Sequence, residues 1–392
     1  MLWARIKLAG PVLPMFIVAH FTHHVASGSL IPLLPWLRDA FQLDYTRSGM
    51  LLSSFALTYG FAQLPMASLA DRWSKTTMIG VGLVGVSLSA IAASLSPGYY
   101  FLLATLILMG LFGSTYHAPT SSFLSQWFSQ EQRGRVLGTH LVGGSTSLLF
   151  TPVAAVLIAR FTGDWRYSFM ALAIPAFFSG LTLILVGRGY EKTSLAKAAK
   201  GPKERVNPIE IVRLIGGTMA IALFSQLVTS GIYSFLPLFL VDKHQVSREI
   251  AGMMVGLVSG AGIIGGPLGG ALSDRFGRKP VIMLSIVLVG PLVLLLTVVP
   301  FGWPMVGVIL LYGFCGSFRM PTIESLIADT VPWHRRATAL AVYFFVSQET
   351  AAVSMPVIGW FIDAHGLTSV FTTLALIALS SSVLVLSIRK RI

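Results

Sequence analysis

Ten residues, GALSDRFGRK at 270–279, have a degraded copy, ASLADRWSKT, at 67–76. Both copies lie in short gaps between long apolar runs. Asp71 and Asp274 are 203 residues apart in a chain of 392. A charged hairpin repeated at half the chain length implies a duplicated architecture. The apolar runs say where that architecture resides. Each is about 20 residues long, enough to cross the hydrocarbon of a bilayer as a helix. The chain is 54% hydrophobic and only 11% charged, whereas a soluble chain carries roughly a quarter charged residues. A water-soluble core cannot absorb that much apolar sequence, so the bilayer is the solvent.

Twelve such runs are placed near 12–36, 46–69, 77–95, 99–124, 136–159, 167–187, 214–240, 250–272, 280–299, 304–327, 338–361 and 368–388. Glycine and proline inside them do not veto helices, because membrane helices tolerate both. The expected fold is an all-α membrane protein with twelve transmembrane helices in two six-helix, pseudo-symmetric halves. Residues 1–187 form the first half and 214–392 the second, joined by the basic linker 188–213, the one long polar segment. Pro119 matches Pro321, Arg133 matches Arg335, and Pro152 falls within two residues of the counterpart of Pro356. Stretches such as GLVSGAGIIGGPLGG at 256–270 let helices approach closely.

Charge placement sets the orientation. With both termini inside, 21 Lys and Arg fall on the cytoplasmic side, seven of them in the linker, against six on the opposite side. That asymmetry is a positive-inside signal. The net charge of +13 is therefore topogenic and faces anionic headgroups; nucleic acid is not an expected partner. A single cysteine, Cys315, excludes an intrachain disulfide and a multi-cysteine metal centre. Arg5 and Lys7 precede a first run that is interrupted by histidines and lacks a small-residue cleavage site, so no cleavable signal peptide is expected. No GxxxxGK[ST] occurs, so ATP does not drive the protein directly. No cofactor is expected, and the chain is expected to act as a monomer in a cytoplasmic (inner) membrane.

The two charged hairpins resemble the loop signature of the major facilitator superfamily, between its second and third helices. The copy at 270–279 matches almost throughout. The copy at 67–76 keeps Leu69, Asp71 and Arg72 but has Ala67 and Ser74 where glycine is usual. Two six-span halves joined by a basic linker also resemble that fold, and the resemblance covers essentially the whole chain. It implies halves that rock about a central site to give alternating access, with spans 1, 4, 7 and 10 around the cavity. It also implies that Asp71, Arg72, Asp274, Arg275 and Arg278, with Lys279, act as a cytoplasmic latch. In that reading Asp274 sits at the N-terminus of the following helix and pairs with arginines of the facing half. YHAPTSSF at 116–123, followed by RGRVLGTHLVGGSTS at 133–147, is similar to the fosmidomycin-resistance branch. It departs at Ala118 and lacks the Asn-Asp pair expected in the first span.

Ionisable residues inside the spans are few, and each costs roughly 2.5–3.5 kcal/mol at mid-bilayer on insertion scales. Arg319, in span 10, lies roughly 12 Å from the cytoplasmic end. A guanidinium there can anchor a carboxylate or phosphonate through two parallel hydrogen bonds, or form a structural ion pair with Glu349. Glu349, in span 11, lies roughly 18 Å deep, where a desolvated carboxylate suits proton carriage. Glu324 is five residues after Arg319, about 140° around the helix, and reads as a gate or an interfacial acid. His20, His23 and His24 share a face of span 1. They read as polar lining or proton handling, with a metal site as the alternative. His117 stands two residues before Pro119 as Arg319 stands before Pro321, which makes the two positions equivalent and the cavity attractive to anions. His140, near the cytoplasmic end of span 5, reads as an interface residue.

These readings converge on a proton-coupled secondary active transporter exporting a small organic anion or amphipathic drug. Arg319, His117, His23, His24 and His20 would bind substrate, Glu349 would carry the proton, and no resident metal is expected. The alternatives are a proton-coupled uptake symporter of a carboxylate, and a divalent-metal exporter using the span 1 histidines. No nucleophile–base arrangement points to an enzyme.

Overall fold

A computed structural model of the chain describes residues 10–70, 73–190, 208–332 and 335–386. Every regular element among them is a helix. In chain order they are α1 Val12–Ser27, α2 Leu34–Phe41, α3 Tyr45–Ala70, α4 Lys75–Ser94, α5 Tyr99–Gly113, α6 His117–Trp127, α7 Gln130–Thr162 and α8 Arg166–Leu185. After the linker come α9 Pro208–His244, α10 Arg248–Phe276, α11 Arg278–Val298, α12 Trp303–Gly316, α13 Arg319–Thr330, α14 Arg336–His365 and α15 Leu367–Leu386. Nine spans among the described residues are long and apolar enough to cross a membrane, with α5 and α6 counted as one and α12 and α13 as another. The 26-residue α3 and the shorter apolar helices at Val12–Ser27 and Leu367–Ser381 account for the other three predicted runs.

The chain divides into two compact units. One takes the residues up to Leu37 and those from Ser54 to the linker; the other takes Arg38–Ser53 and everything beyond the linker. Core residues of the first include Phe16, Ile79, Leu83, Phe123 and Leu183. Those of the second include Ile215, Ala222, Ile286, Ile323 and Tyr343.

The repeat read from sequence recurs as repeated contacts. A Cβ at Gly110 would lie 2.4 Å from the carbonyl oxygen of Phe55, and one at Gly313 would lie 2.4 Å from that of Val258. Both residues of the second pair are 203 positions beyond those of the first. The same offset relates Gly82, packed against the Phe112 carbonyl, to Ser285, whose hydroxyl donates to the Cys315 carbonyl at 2.8 Å. Small residues at these positions let backbones touch where apolar side chains alone would hold them apart.

Spans 4 and 10 are both broken. Pro119 and Pro321 lack an N–H, and each ring crowds the carbonyl four residues earlier, at Thr115 and Ser317. The chain responds at those points with tighter turns: Tyr116 N–H donates to Gly113 O at 3.1 Å and Phe318 N–H to Cys315 O at 3.3 Å. The first break spends three residues, Ser114 to Tyr116, and the second only two, Ser317 and Phe318. The offset between the halves therefore falls from 203 to 202 across the break, which makes His117 and Arg319 equivalent as first residues of α6 and α13.

Two sequence expectations are corrected. The first run does not form one helix over 12–36. It stops at Ser27, Gly28 N–H closes the end on His24 O at 2.8 Å, and α2 starts only at Leu34. Pro32 cannot supply the N–H that a continuous helix needs there. Asp274 is not at the N-terminus of the following helix but in the last turn of α10. Gly277, at φ +91°, makes the corner between α10 and α11. Its counterpart Ser74 has φ −61° and caps α4 by accepting from Thr77 N–H. The missing glycine thus changes how the corner is made.

The start of α3 is held within the second unit. Asp363 of α14 accepts from Tyr45 N–H and Thr46 N–H, both at 2.9 Å, which places a carboxylate on the positive end of a helix. Asp242 accepts from Tyr45 Oη at 2.6 Å and pairs with Arg38. Burial works against the charge on Arg38, but Asp242 and Asp39 outweigh it and hold its pKa above the ordinary value.

In the first unit, α4 and α8 cross at Gly80 and Gly180. A Cβ on either would lie 2.6–2.7 Å from the other's carbonyl oxygen. Gly180→Val is expected to lower stability by about 1–3 kcal/mol through overpacking. Gly138→Ala, with nothing within 4 Å of the added carbon, should be neutral or stabilise by up to about 1 kcal/mol. Thermal unfolding of the purified protein in detergent checks both.

Candidate functional site

Each unit carries its own cluster of buried polar groups at a helix break. In the first unit the break brings His117 against the histidines of α1. Ring centroids of His20 and His24 are 5.0 Å apart, those of His20 and His117 5.3 Å, and those of His24 and His117 5.6 Å. His23 stacks on Tyr116 at 4.8 Å and meets His24 at 4.9 Å. All three span 1 histidines and His117 therefore converge. His140 does not sit at an interface. It is buried, stacks on His20 at 4.3 Å, and its Nε2 lies 3.1 Å from Tyr116 Oη. The long α7 packs closely on α1: a Cβ at Gly143 would lie 2.3 Å from Ile17 O. This draws His140 inward. Tyr116 donates to Phe16 O at 3.0 Å, so the contact with His140 requires the imidazole to donate. Nδ1 of His20, 3.2 Å from the His140 carbonyl, must likewise donate, because a carbonyl only accepts.

In the second unit the break brings Arg319 against α9. Its Nη2 donates to Gln226 Oε1 at 2.7 Å and to Thr229 Oγ1 at 3.4 Å. The residue is only 7% exposed, yet Nε and Nη1 have no partner among the described residues. A small, mainly apolar pocket beside the guanidinium is lined by Val228, Ile286, Val289 and Ala378 together with Ser225, Thr229, Ser285 and Ser381. The ion pair with Glu349, the alternative reading of Arg319, does not form. Glu349, 8% exposed on α14, has neither carboxylate oxygen hydrogen-bonded. A neutral amide therefore orients the guanidinium and leaves its charge uncancelled. Glu324 is half-buried on α13, away from these hydrogen bonds.

Of the latch residues, Asp71 and Arg72 lie outside the described residues. Asp274 pairs with Arg278, one turn on. Arg278 also donates to Asp329 at 3.0 Å and to Ser273 at 2.8 Å. The partner of Asp274 is thus within its own unit. Arg275 lies over the Phe276 ring at 5.3 Å.

Sequence reasoning missed Gln226, Thr229 and Tyr116. Gln226 and Thr229 are three apart on span 7, a visible helical pairing, but uncharged residues carry no insertion penalty large enough to single them out.

The family model described as Major Facilitator Superfamily matches residues 16–247 and 218–391. A fosmidomycin resistance protein of Escherichia coli is 24% identical over 293 residues, 73% of this chain and 70% of that protein. A phosphoglycerate transporter protein of Salmonella typhimurium is 24% identical over 308 residues, 69% of this chain and 65% of that protein. Among solved structures, a bacterial homolog of the human lysosomal transporter Spinster, inward-facing and occupied, aligns with a TM-score of 0.78. The alignment covers 96% of this chain and 94% of that one at 15% identity. At that identity the likeness concerns the fold alone.

Gln226→Ala is expected to destabilise the second unit by about 1.5–3 kcal/mol, the worth of a hydrogen bond to a charged group. Nη2 would keep only the longer contact to Thr229. A fall in the unfolding midpoint of the purified variant, absent from Glu324→Gln, is the expected reading.

Proposed function

The chain belongs to the Major Facilitator Superfamily, and we propose that within it the protein is a proton-coupled secondary transporter exporting a small organic anion or amphipathic drug. That the chain is a multi-pass membrane transporter and not an enzyme follows from its family. Coupling and substrate class are inferred from the second unit. The observation that carries the reading is Arg319: a buried guanidinium with two of its three nitrogens unpaired among the described residues, at the first residue of a half-helix. Half-helix N-termini favour anions and recur at the substrate sites of transporters. A permanently charged group in a dry setting demands a counter-charge, and an anionic substrate supplies one. Relatives named for fosmidomycin resistance and for phosphoglycerate transport support an acidic cargo.

Glu349 supplies the coupling. An isolated buried carboxylate is costly as an anion, so it takes a proton when nothing else neutralises it. Proton and substrate then act on one local charge balance. The same machinery run the other way gives uptake of a carboxylate by symport, since gradients decide direction. The protein is placed in the cytoplasmic membrane with both termini inside, on the distribution of its basic residues. By the family resemblance, Asp274, Arg275 and Arg278, with Asp71 and Arg72, act as the cytoplasmic latch of the alternating-access cycle, with Asp274 held by Arg278 of its own unit.

A panel of organic mono- and dianions, phosphoglycerate and fosmidomycin among them, is expected to raise the melting temperature of the native protein by mass action. It should leave Arg319→Ala unmoved, and Arg319→Lys should respond weakly, because a point charge cannot reproduce the fork. In proteoliposomes, Glu349→Gln is expected to keep substrate exchange while losing accumulation driven by an imposed pH gradient. Accumulation persisting in that variant would remove Glu349 from the proton path.

Asp274→Asn should lower kcat of transport several-fold and leave KM near its native value. Asp274 is exposed, its pair with Arg278 is worth about 1 kcal/mol or less in the ground state, and it is remote in sequence from the substrate groups. An unchanged kcat with a collapsed affinity would place Asp274 in the binding site instead.

A further inference from the structure

The histidine cluster of the first unit does something the anion reading does not use. We propose that His20, His24 and His117 bind one divalent transition-metal ion of borderline softness, Zn²⁺ fitting best, with the fourth coordination position left open. One ring nitrogen from each residue lies within 4.8 Å of the other two. Around a tetrahedral Zn²⁺ with bonds of about 2.0–2.1 Å, ligand nitrogens stand about 3.4 Å apart. Small ring rotations close the difference. The scaffold suits the task. His20 and His24 are one turn apart on α1 and face the same way, while His117 comes from the N-terminus of α6.

The protonation pattern suits it too. Nδ1 of His20 donates to the His140 carbonyl, which leaves Nε2 with a lone pair. Metal-bound histidines are oriented by this kind of outer hydrogen bond. Gly144 keeps the space beside Nε2 clear, since a Cβ there would lie 2.6 Å from it. Among the described residues the rings of His24 and His117 hydrogen-bond no other group, and the fully buried His23 leaves its Nε2 unpaired. A purely structural histidine network would satisfy the buried Nε2 of His23, and the half-buried rings of His24 and His117 keep a nitrogen turned to the cluster. Here the polar bonds are spent at the outer edge, on His20 Nδ1 and His140 Nε2, and the inner nitrogens are left for a ligand.

The ligand must be a cation that accepts neutral nitrogen donors. The cluster contains no carboxylate and no thiolate, so Mg²⁺ and Ca²⁺ are disfavoured, and imidazole sets suit Zn²⁺, Ni²⁺, Co²⁺ and Cu²⁺. Three neutral ligands leave the full ionic charge in place, and the open position can take water, hydroxide or an anionic group of a second ligand. This site is independent of Arg319. It stands or falls without the organic-anion reading.

The test uses the full chain, free of any polyhistidine tag, purified in detergent and stripped with a chelator. Titration with Co²⁺ near neutral pH is expected to give one saturable site per chain with the intense visible absorption of a tetrahedral ion, displaced by Zn²⁺ and untouched by Mg²⁺. His24→Gln and His117→Gln should each weaken binding by at least about tenfold, whereas His365→Gln, at the exposed end of α14, should not. Zn²⁺ should raise the melting temperature of the native chain and of His365→Gln only. Absence of saturable binding in the native protein, a weak octahedral spectrum, or equal binding by all variants would overturn the proposal. The native spectrum decides the matter even where a histidine variant fails to fold.

Discussion

A proline near the start of a buried half-helix is the constraint on which the rest of this structure depends. In hydrocarbon every backbone donor and acceptor must be satisfied within the protein. Pro119 and Pro321 each remove one donor and displace the carbonyl four residues earlier. The chain answers with a short turn and a restart. Each restart puts an ionisable residue, His117 or Arg319, at the first position of a helix. The peptide dipoles there favour negative charge, and the neighbouring helix can bring side chains to meet the break. In one unit α1 brings imidazoles; in the other α9 brings Gln226 and Thr229. One backbone device, duplicated, thus yields two chemically different polar clusters.

The repeat itself is a matter of small residues as much as of charge. Gly110 and Gly313 meet carbonyls of the preceding hairpin at the same distance in both units. A side chain at either position would push a half-helix away from its neighbour and shift the residue that follows the break. The loop corners are less alike. Gly277 uses a backbone conformation open to glycine, and Ser74 uses a different one closed by a side-chain cap. The divergence at this corner therefore leaves the packing of the helices intact.

Much of this was legible in the sequence. Long apolar runs, a charged hairpin at half-length and basic loops give the all-helical fold, because each reflects a solvent constraint that acts locally. Arg319 and the span 1 histidines stood out in the sequence for the same reason: a polar group in a greasy run carries a large cost. What was not legible depends on distance in space. Glu349 was the natural partner for Arg319 by charge, but the geometry gives that place to Gln226. His140 looked peripheral by its position along span 5 and is central because α7 packs tightly on α1. The end of the first helix at Ser27 is set by Gly28 and Pro32, residues that membrane helices often absorb. Asp274 was assigned to the wrong side of its corner, since a glycine with positive φ can end one helix and begin the next.

The central claim is that the guanidinium of Arg319 keeps part of its hydrogen-bonding capacity and all of its charge available because its protein partner is a neutral amide. Gln226→Glu tests it directly. The change is nearly isosteric and places a carboxylate where the Gln226 Oε1 now sits, 2.7 Å from Nη2. The account predicts that the variant remains as stable as the native protein or more so, and that equilibrium binding of organic anions to the purified protein is lost. Anion binding at native affinity in Gln226→Glu would contradict it, and would move the site away from Arg319.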